Sequence, residues 1–584
     1  MIRMQLAFGI VLGLISAWVS PATSYNLEFS TYLGGGNDDQ LRDIATDGQG
    51  YIYITGGTES ADFPTTRGAC DTTHNGWYDV FVAKLSPAGD LIWSTFVGGA
   101  NYDRGYAVEV DTLGYIYVAG RGGPGFPVTP GAFQTNYMGH DNGIYGQQNA
   151  FLFKMAPNGS SLVWSSYFGV TTLIRDMDID ENADIYITSG YWPGMSPDSL
   201  PQSWITNAYQ KGPQGGKDGV VAKIRSDGTA VEWATYLGGS GEEGIEASIS
   251  VDDSHNVYVL QFTMSTDAPT TPGAYDSTHN GNWDYYLAGL TPDGSNLVFG
   301  TYLGGSGNEF ISTHNLGLSA QGDPYVLSST GSPDYPVTTG AFQESYGGGT
   351  SDVAVSRISP DGTQLVASTF VGGSSNENGE GITVDSNGNV FFSGDAWSVD
   401  FPVTPDAYQL SNSGGQDGFV LGLSPDLSQL LYSTYLGGSG DDGSRAFTID
   451  PEGCVFHAGW TRSGDFPLKN PYQDTLAGGW DLAVAKLCPA PGVEDCGQGG
   501  GVHFQVSIQN PCRSLLVECD LQYADVIEFS LYDCCGRRLF VEEKKLDPGR
   551  HTVCFSLGQM ASGVFFLNAR AATSWHTRKL VLVR

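Results

Sequence analysis

The chain has 584 residues, 81 of them glycine and 28 proline, with aromatic residues at 12% and charged residues at only 15%. That length exceeds one ordinary globular core, and the composition suits many short strands joined by tight turns rather than long helices. The net charge of -36 makes nucleic acid a poor partner, because phosphates are repelled by such a body.

The first segment reads as an export signal over residues 1–24. Arg3 supplies the positive flank, an apolar run covers Leu6–Val19, and small residues Ala22 and Ser24 follow. The run is too short for a membrane span, and no later stretch reaches the roughly 18 to 20 apolar residues that one needs. The expected location is therefore secreted or on the outer cell surface, with no transmembrane segment. An uncleaved anchor is the alternative.

A motif then recurs, as Phe29-Ser-Thr-Tyr-Leu-Gly-Gly35, Trp93-Ser-Thr-Phe-Val-Gly-Gly99 and Tyr432-Ser-Thr-Tyr-Leu-Gly-Gly438, among others. Its third residue falls at 31, 95, 166, 235, 301, 369 and 434, a period of roughly 67 residues. Each period carries signals for four strands. Strand A ends in a turn such as Asp385-Ser-Asn-Gly388, B alternates as in Tyr51-Ile-Tyr-Ile-Thr55, C is the Asp79-Val-Phe-Val-Ala-Lys-Leu85 type, and D is the recurring motif. The spacing predicts an all-β, seven-bladed β-propeller over residues 25–488. Residues 26–35 form a lone D strand and the seventh period lacks one, so the first strand is expected to complete the last blade and close the ring. An open solenoid is the structural alternative. The motifs Ser-Thr-Tyr-Leu-Gly-Gly, Asp62-Phe-Pro64 and Asp-x-Phe-Val-Ala-Lys-Leu resemble the bacterial SBBP (seven-bladed β-propeller) repeat family. That resemblance implies a fold and an extracytoplasmic setting, and no single activity.

Residues 489–502 are a Gly/Pro-rich linker, and residues 503–584 differ in character. The last 82 residues hold ten Lys or Arg against eight Asp or Glu, a net of +2, whereas the first 502 hold 17 against 55, a net of -38. Alternating strands such as Val526–Tyr532, Thr552–Phe555, Gly563–Leu567 and Lys579–Arg584 predict a small immunoglobulin-like β-sandwich. Asn510-Pro511, Leu531-Tyr-Asp533 with Gly536-Arg537, Pro548-Gly549 with His551, and Ala561-Ser-Gly-Val-Phe565 resemble the C-terminal sorting domain of the type IX (Por) secretion system. The resemblance implies secretion machinery as a partner. A plain accessory sandwich is the alternative. Seven of the nine cysteines lie between Cys488 and Cys554, in keeping with an oxidising compartment, and their pairing stays open.

Residues repeated in every period are read as structural. Asp79, Asp218, Asp284, Asp352, Asp417 and Asp481, with Asn149 in the remaining period, open strand C as cap acceptors for backbone N–H groups. His74 and His279 sit in equivalent turns and are read the same way. Acids after the Gly-Gly pairs, Asp38, Asp39, Asp103, Glu242, Glu243, Glu309, Glu377, Asp441 and Asp442, are expected to ring one face. They form a candidate calcium site or, alternatively, solvated loop acids. Departures from the repeat are better functional candidates. Two lengthened B–C connections carry Tyr137, His140, Asp141 and Tyr145, and Tyr191, Trp192 and Trp204, as a candidate platform for glycan or protein; insertion without function is the alternative. No enzyme signature is present, so the reading is a non-catalytic binding or adhesion scaffold. The alternative is a propeller hydrolase or lyase acting on polysaccharide, marked by three or more acids, a His and a Tyr in one central pocket.

Overall fold

A computed structural model describes residues 24–490 except 142, 194–198 and 311–313, and the strands lying between 502 and 582. The chain divides into two compact units, Met1–Cys488 and Pro489–Arg584.

The first unit is a seven-bladed β-propeller of antiparallel blades. Blade 1 contains strands A to D at Asp39–Thr46, Ile52–Thr58, Asp79–Leu85 and Leu91–Val97, paired in that order. Blades 2 to 6 repeat the order. Blade 7 takes A, B and C from Asp442–Ile449, Val455–Thr461 and Asp481–Pro489, and its D strand is Tyr25–Leu33 from the chain start. The expected closure is thus observed, and it leaves no blade with an unpaired C strand. Cys454 and Cys488 form a disulfide across this blade, joining its A–B turn to the end of strand C.

The alternating pattern works because each sheet is covered on both faces by its neighbours. Strand B of blade 1 is buried at all seven positions, and Ile54, Phe81 and Leu85 pack against Phe456 and Ala458 of blade 7. The Gly-Gly of the repeat is demanded by contact rather than by turn type. A Cβ on Gly372 would lie 2.7 Å from the Asp352 carboxyl carbon, and one on Gly373 would lie 2.6 Å from Asp400 and Ser398.

The C-terminal unit consists of two antiparallel sheets. One orders Val502–Gln509, Ser514–Leu521 and Gly549–Ser556; the other orders Arg538–Leu546, Asp525–Asp533, Gly563–Arg570 and Trp575–Leu582. Period-two burial of Ile527, Phe529 and Leu531 meets Phe555 of the other sheet, with the Phe529 and Phe555 rings 5.1 Å apart. Asn510-Pro511, Gly536-Arg537, Pro548 and Ala561-Ser562 lie outside the described residues, as do residues 1–23.

Candidate functional site

The repeated acids prove to be buried knots. Asp39, Asp103, Glu243, Glu309, Glu377 and Asp442 are at most 1% exposed. Each accepts the N–H of the second Gly of its motif, as Gly99 donates to Asp103 at 2.6 Å and Gly373 to Glu377 at 2.9 Å. Hydroxyls at the end of strand B and just beyond it add to the shell: Ser463 donates to Asp442 at 2.7 Å, and Thr330 to Glu309 at 3.0 Å. Burial outweighs these bonds and pushes Asp39, Asp103, Glu243, Glu309 and Glu377 up to about 7. Of the remaining acids, Glu242 lies 3.0 Å from Lys217 and Asp441 3.9 Å from Arg462. Asp38 accepts the N–H of Glu59 through its carbonyl. Among the described residues no group of three or more His, Cys, Asp or Glu side chains is gathered to hold a metal ion. The strand-C acids act as caps, with Asp79 accepting from the Asn75 N–H at 2.8 Å and Asp417 from that of Ser413 at 2.8 Å. Asn149 does the same for Met138 at 2.9 Å. His74 and His279 make equivalent bonds to the carbonyls of Thr58 and Thr263, at 3.0 and 3.1 Å.

The two long loops meet, since the rings of His140 and Trp192 lie 6.1 Å apart. Their other aromatics divide by role. Tyr191 is buried against Tyr236, Trp204 stacks on Phe168 at 5.4 Å, and Tyr137 packs on Tyr167 at 5.5 Å, so these three hold the loops down. Asp141 is exposed and accepts the Gly143 N–H. Tyr145 stacks on Tyr102 at 4.5 Å with the Arg121 guanidinium 4.8 Å from its ring, and Trp192 has the Lys217 ammonium 5.9 Å from its own.

Beneath Tyr145 lies a site that the sequence reading does not single out. In six blades strand A breaks register against strand B near its start, at Leu41/Asp43, Gly105/Ala107, Ile174/Asp176, Glu243/Ala247, Gly379/Gly381 and Ser444/Ala446. A β-bulge leaves a residue unpaired and re-aims its side chain. The residues skipped are Arg42, Tyr106, Arg175, the stretch ending at Glu246, Glu380 and Arg445, one from each innermost strand. They come together at the axis with Arg104 and Arg121. The guanidinium carbons of Arg42, Arg104, Arg121 and Arg175 lie 5.3, 5.3, 5.1 and 5.0 Å from the centre of the Tyr106 ring. Burial opposes ionisation of this phenol, but the four cations overcome it and bring Tyr106 down to about 7. Arg445 is held by Glu380 at 2.8 Å and Asp395 at 3.6 Å, and Arg175 by Glu246. Among the described residues Arg42, Arg104 and Arg121 have no carboxylate partner. Burial, then repulsion from Arg104 and its neighbours, lowers Arg42 to about 9. The Nε atoms of Arg42, Arg104, Arg121 and Arg175 are buried without an acceptor among the described residues. Buried unpaired donors are rare in folded proteins.

His314 lies next to this ring. Strand A of blade 5 is interrupted, Glu309–Phe310 and then Leu316–Leu318, and His314 enters the gap at a φ of 56°. Its Nε2 lies 3.2 Å from Asp43 and its Nδ1 2.9 Å from Asp176, carboxylates of blades 1 and 3. Burial disfavours the imidazolium, yet the two carboxylates lift His314 to about 9. Asp43 and Asp176 in turn accept the N–H groups of Val108 at 2.6 Å and Ile249 at 3.0 Å, tying neighbouring inner strands together. Both features had a signal in the chain. Only 17 Lys or Arg occur in the first 502 residues, yet Arg42 and Arg445 each stand three residues after a knot acid. Glu309 precedes its turn residue Ser319 by ten positions, against eight from Asp39 to Asp47 or from Glu377 to Asp385.

Among known families, a β-propeller repeat model, SBBP, matches residues 28–64. No curated protein matches the chain. Similar solved structures include a protein of unknown function from Dyadobacter fermentans, 11% identical at TM-score 0.37 over 80% of this chain and 100% of its own. An ulvan lyase, described as a polysaccharide lyase, is 11% identical at TM-score 0.40 over 77% and 95%. A quinohemoprotein alcohol dehydrogenase from Pseudomonas putida is 11% identical at TM-score 0.36 over 83% and 80%.

Proposed function

We propose that this protein is an exported β-propeller that binds an anionic glycan, carboxylated or sulfated, at the axial mouth of the ring. The observation that carries the reading is the convergence on one tyrosine of four guanidinium groups whose buried Nε atoms have no acceptor among the described residues. Arginine forks match carboxylate and sulfate oxygens, and a bound anion supplies the missing acceptors. A body of net charge -38 repels polyanions at long range, so a local cationic pocket selects short or end-on anionic groups rather than nucleic acid. Export rests on the N-terminal signal pattern, and the sorting role of residues 503–584 on the resemblance of their motifs to type IX sorting domains. Deleting 503–584 tests the latter: undiminished surface appearance sinks it.

The binding reading is tested on an array of neutral, uronate-bearing and sulfated glycans with the full mature chain. Selective retention of anionic glycans is expected, with Arg42→Ala lowering affinity about tenfold, about 1.4 kcal/mol. Retention of neutral glycans alone overturns it.

A second reading, polysaccharide cleavage, is favoured by Tyr106. A phenol held near 7 beside cations is suited to act as a general base on a proton next to a neutralised carboxylate. Release of an unsaturated product from any retained uronate glycan, abolished in Tyr106→Phe, supports it.

A further inference from the structure

Around the axial ring each blade places a pair of residues at equivalent positions: the next-to-last residue of strand B, and the residue just before the strand-C cap. The pairs are Gly57 and Tyr78, Arg121 and Gln148, Gly190 and Lys217, Phe262 and Trp283, Ser329 and Ser351, Asp395 and Gln416, and Trp460 and Trp480. In blade 7 the two indoles stack at 4.7 Å; in blade 4 Phe262 and Trp283 pack edge to face at 4.7 Å. In blade 5 both places hold serine. Where its neighbours hold aromatic rings or long polar chains, a cleft of about 600 Å3 opens instead, lined by Asn308, Phe310, Ser329, Thr350, Ser351 and Asn378 and reaching Glu380 of the axial ring.

We infer that this cleft between blades 5 and 6 is a second carbohydrate subsite, continuous with the arginine pocket, which receives the sugar adjoining the anionic residue. The inference rests on the binding reading above. The volume falls within the range of small-ligand sites, about 300–1,000 Å3. The lining is rich in hydroxyl and amide groups, which match sugar hydroxyls. Phe310 is 49% exposed at the rim and offers one apolar face, as a pyranose requires. Asn308 Oδ1 is buried and accepts no hydrogen bond within the described residues, so a donor is missing at the cleft wall. Glu380, bound to Arg445 at 2.8 Å, stands at the junction of the cleft and the axial ring. A chain bound across this junction therefore places its charge on the axis and its neighbouring sugar between the blades.

The test is titration calorimetry on the full chain with glucuronic acid, a glucuronate-bearing disaccharide and a neutral disaccharide. The disaccharide acid is expected to bind at least ten times more tightly than the monosaccharide. Ser351→Trp, which installs the residue of blades 4 and 7, is expected to erase that gain and leave glucuronic acid binding unchanged. Phe310→Ala, an exposed position that does not threaten folding, is expected to reduce the gain several-fold. A gain that survives both variants, or no gain at all, overturns the subsite. Failure of glucuronic acid to bind overturns the arginine pocket instead. In that case the subsite stands only if the neutral disaccharide binds and Ser351→Trp abolishes it, and falls if neither sugar binds.

Discussion

The carboxylate knots behind the Gly-Gly motifs and the bulged ring at the axis lie only a few residues apart on the same strands, yet they follow opposite rules. The knots repeat one arrangement, a carboxyl accepting the N–H of the second Gly: Asp103 has the N–H groups of Gly99 and Gly123 at 2.6 and 2.7 Å, while Asp39, Glu243, Glu309 and Asp442 each keep one buried oxygen without a partner among the described residues. The ring varies from blade to blade, as Arg, Tyr, Arg, Glu, Glu and Arg, and leaves donors unmet. Repetition marks the carboxyls that cap the repeat's own backbone, and its loss marks the axial places where charge and chemistry change from blade to blade.

The sharpest way to break this contrast is to open the ring. Deleting Tyr25–Leu33 removes the outer strand of blade 7 and uncovers Val484 and Ala485, so the cooperative denaturant transition should be lost, with aggregation at low denaturant. A single transition retained by the truncated chain shows that the blades do not depend on closure.

Acidity should follow next. The five knot carboxylates near 7 bind protons that the unfolded chain releases at about 4, so the folded state holds more protons across that window. Their contribution to stability is therefore fully present below pH 4 and is lost as pH rises to 7. His314, raised to about 9, adds a loss of the same sign between about 6.5 and 9. Thermal scans from pH 4 to 9 check this; a melting temperature that climbs between pH 4 and 7 contradicts it.

A single knot is a smaller perturbation. Asp103→Ala strands two buried N–H groups and should cost about 3 kcal/mol by denaturant midpoint, with glycan affinity unaltered. The smallest signal is spectroscopic: one tyrosine should titrate near pH 7 in ultraviolet difference spectra, and Tyr106→Phe should remove it.

The sequence reveals the blades because their residues recur at a fixed interval, and it reveals closure because one motif is orphaned at each end. The strand-C acids and the turn histidines are legible for the same reason. The acids after Gly-Gly are visible as a set, but their burial is not: a carboxylate in a loop looks solvated until the Ser and Thr of strand B are seen folding over it. The long loops stand out by length. Within them, however, Trp204 and Tyr191 serve as packing, while Tyr145 contacts Arg121 and Trp192 contacts Lys217. The ring itself escapes notice because a bulge alters no residue count that a period detects, and because Arg42, Tyr106 and Glu380 share a place without sharing a chemistry.

The closure seam also sets a timetable. Thr31 Oγ1 bonds the carbonyl of Gln473 across 442 positions, so the first strand made is the last to find its partner. Joining ends that far apart carries the largest loop-closure entropy in the molecule and gives the topology a high contact order. Six blades can form from neighbouring residues as the chain lengthens, while the seventh waits for its strand C at Asp481–Pro489. Until then the nascent protein is an open arc with a vacant sheet edge. The rate at which it reaches its native state should be governed by that one pairing.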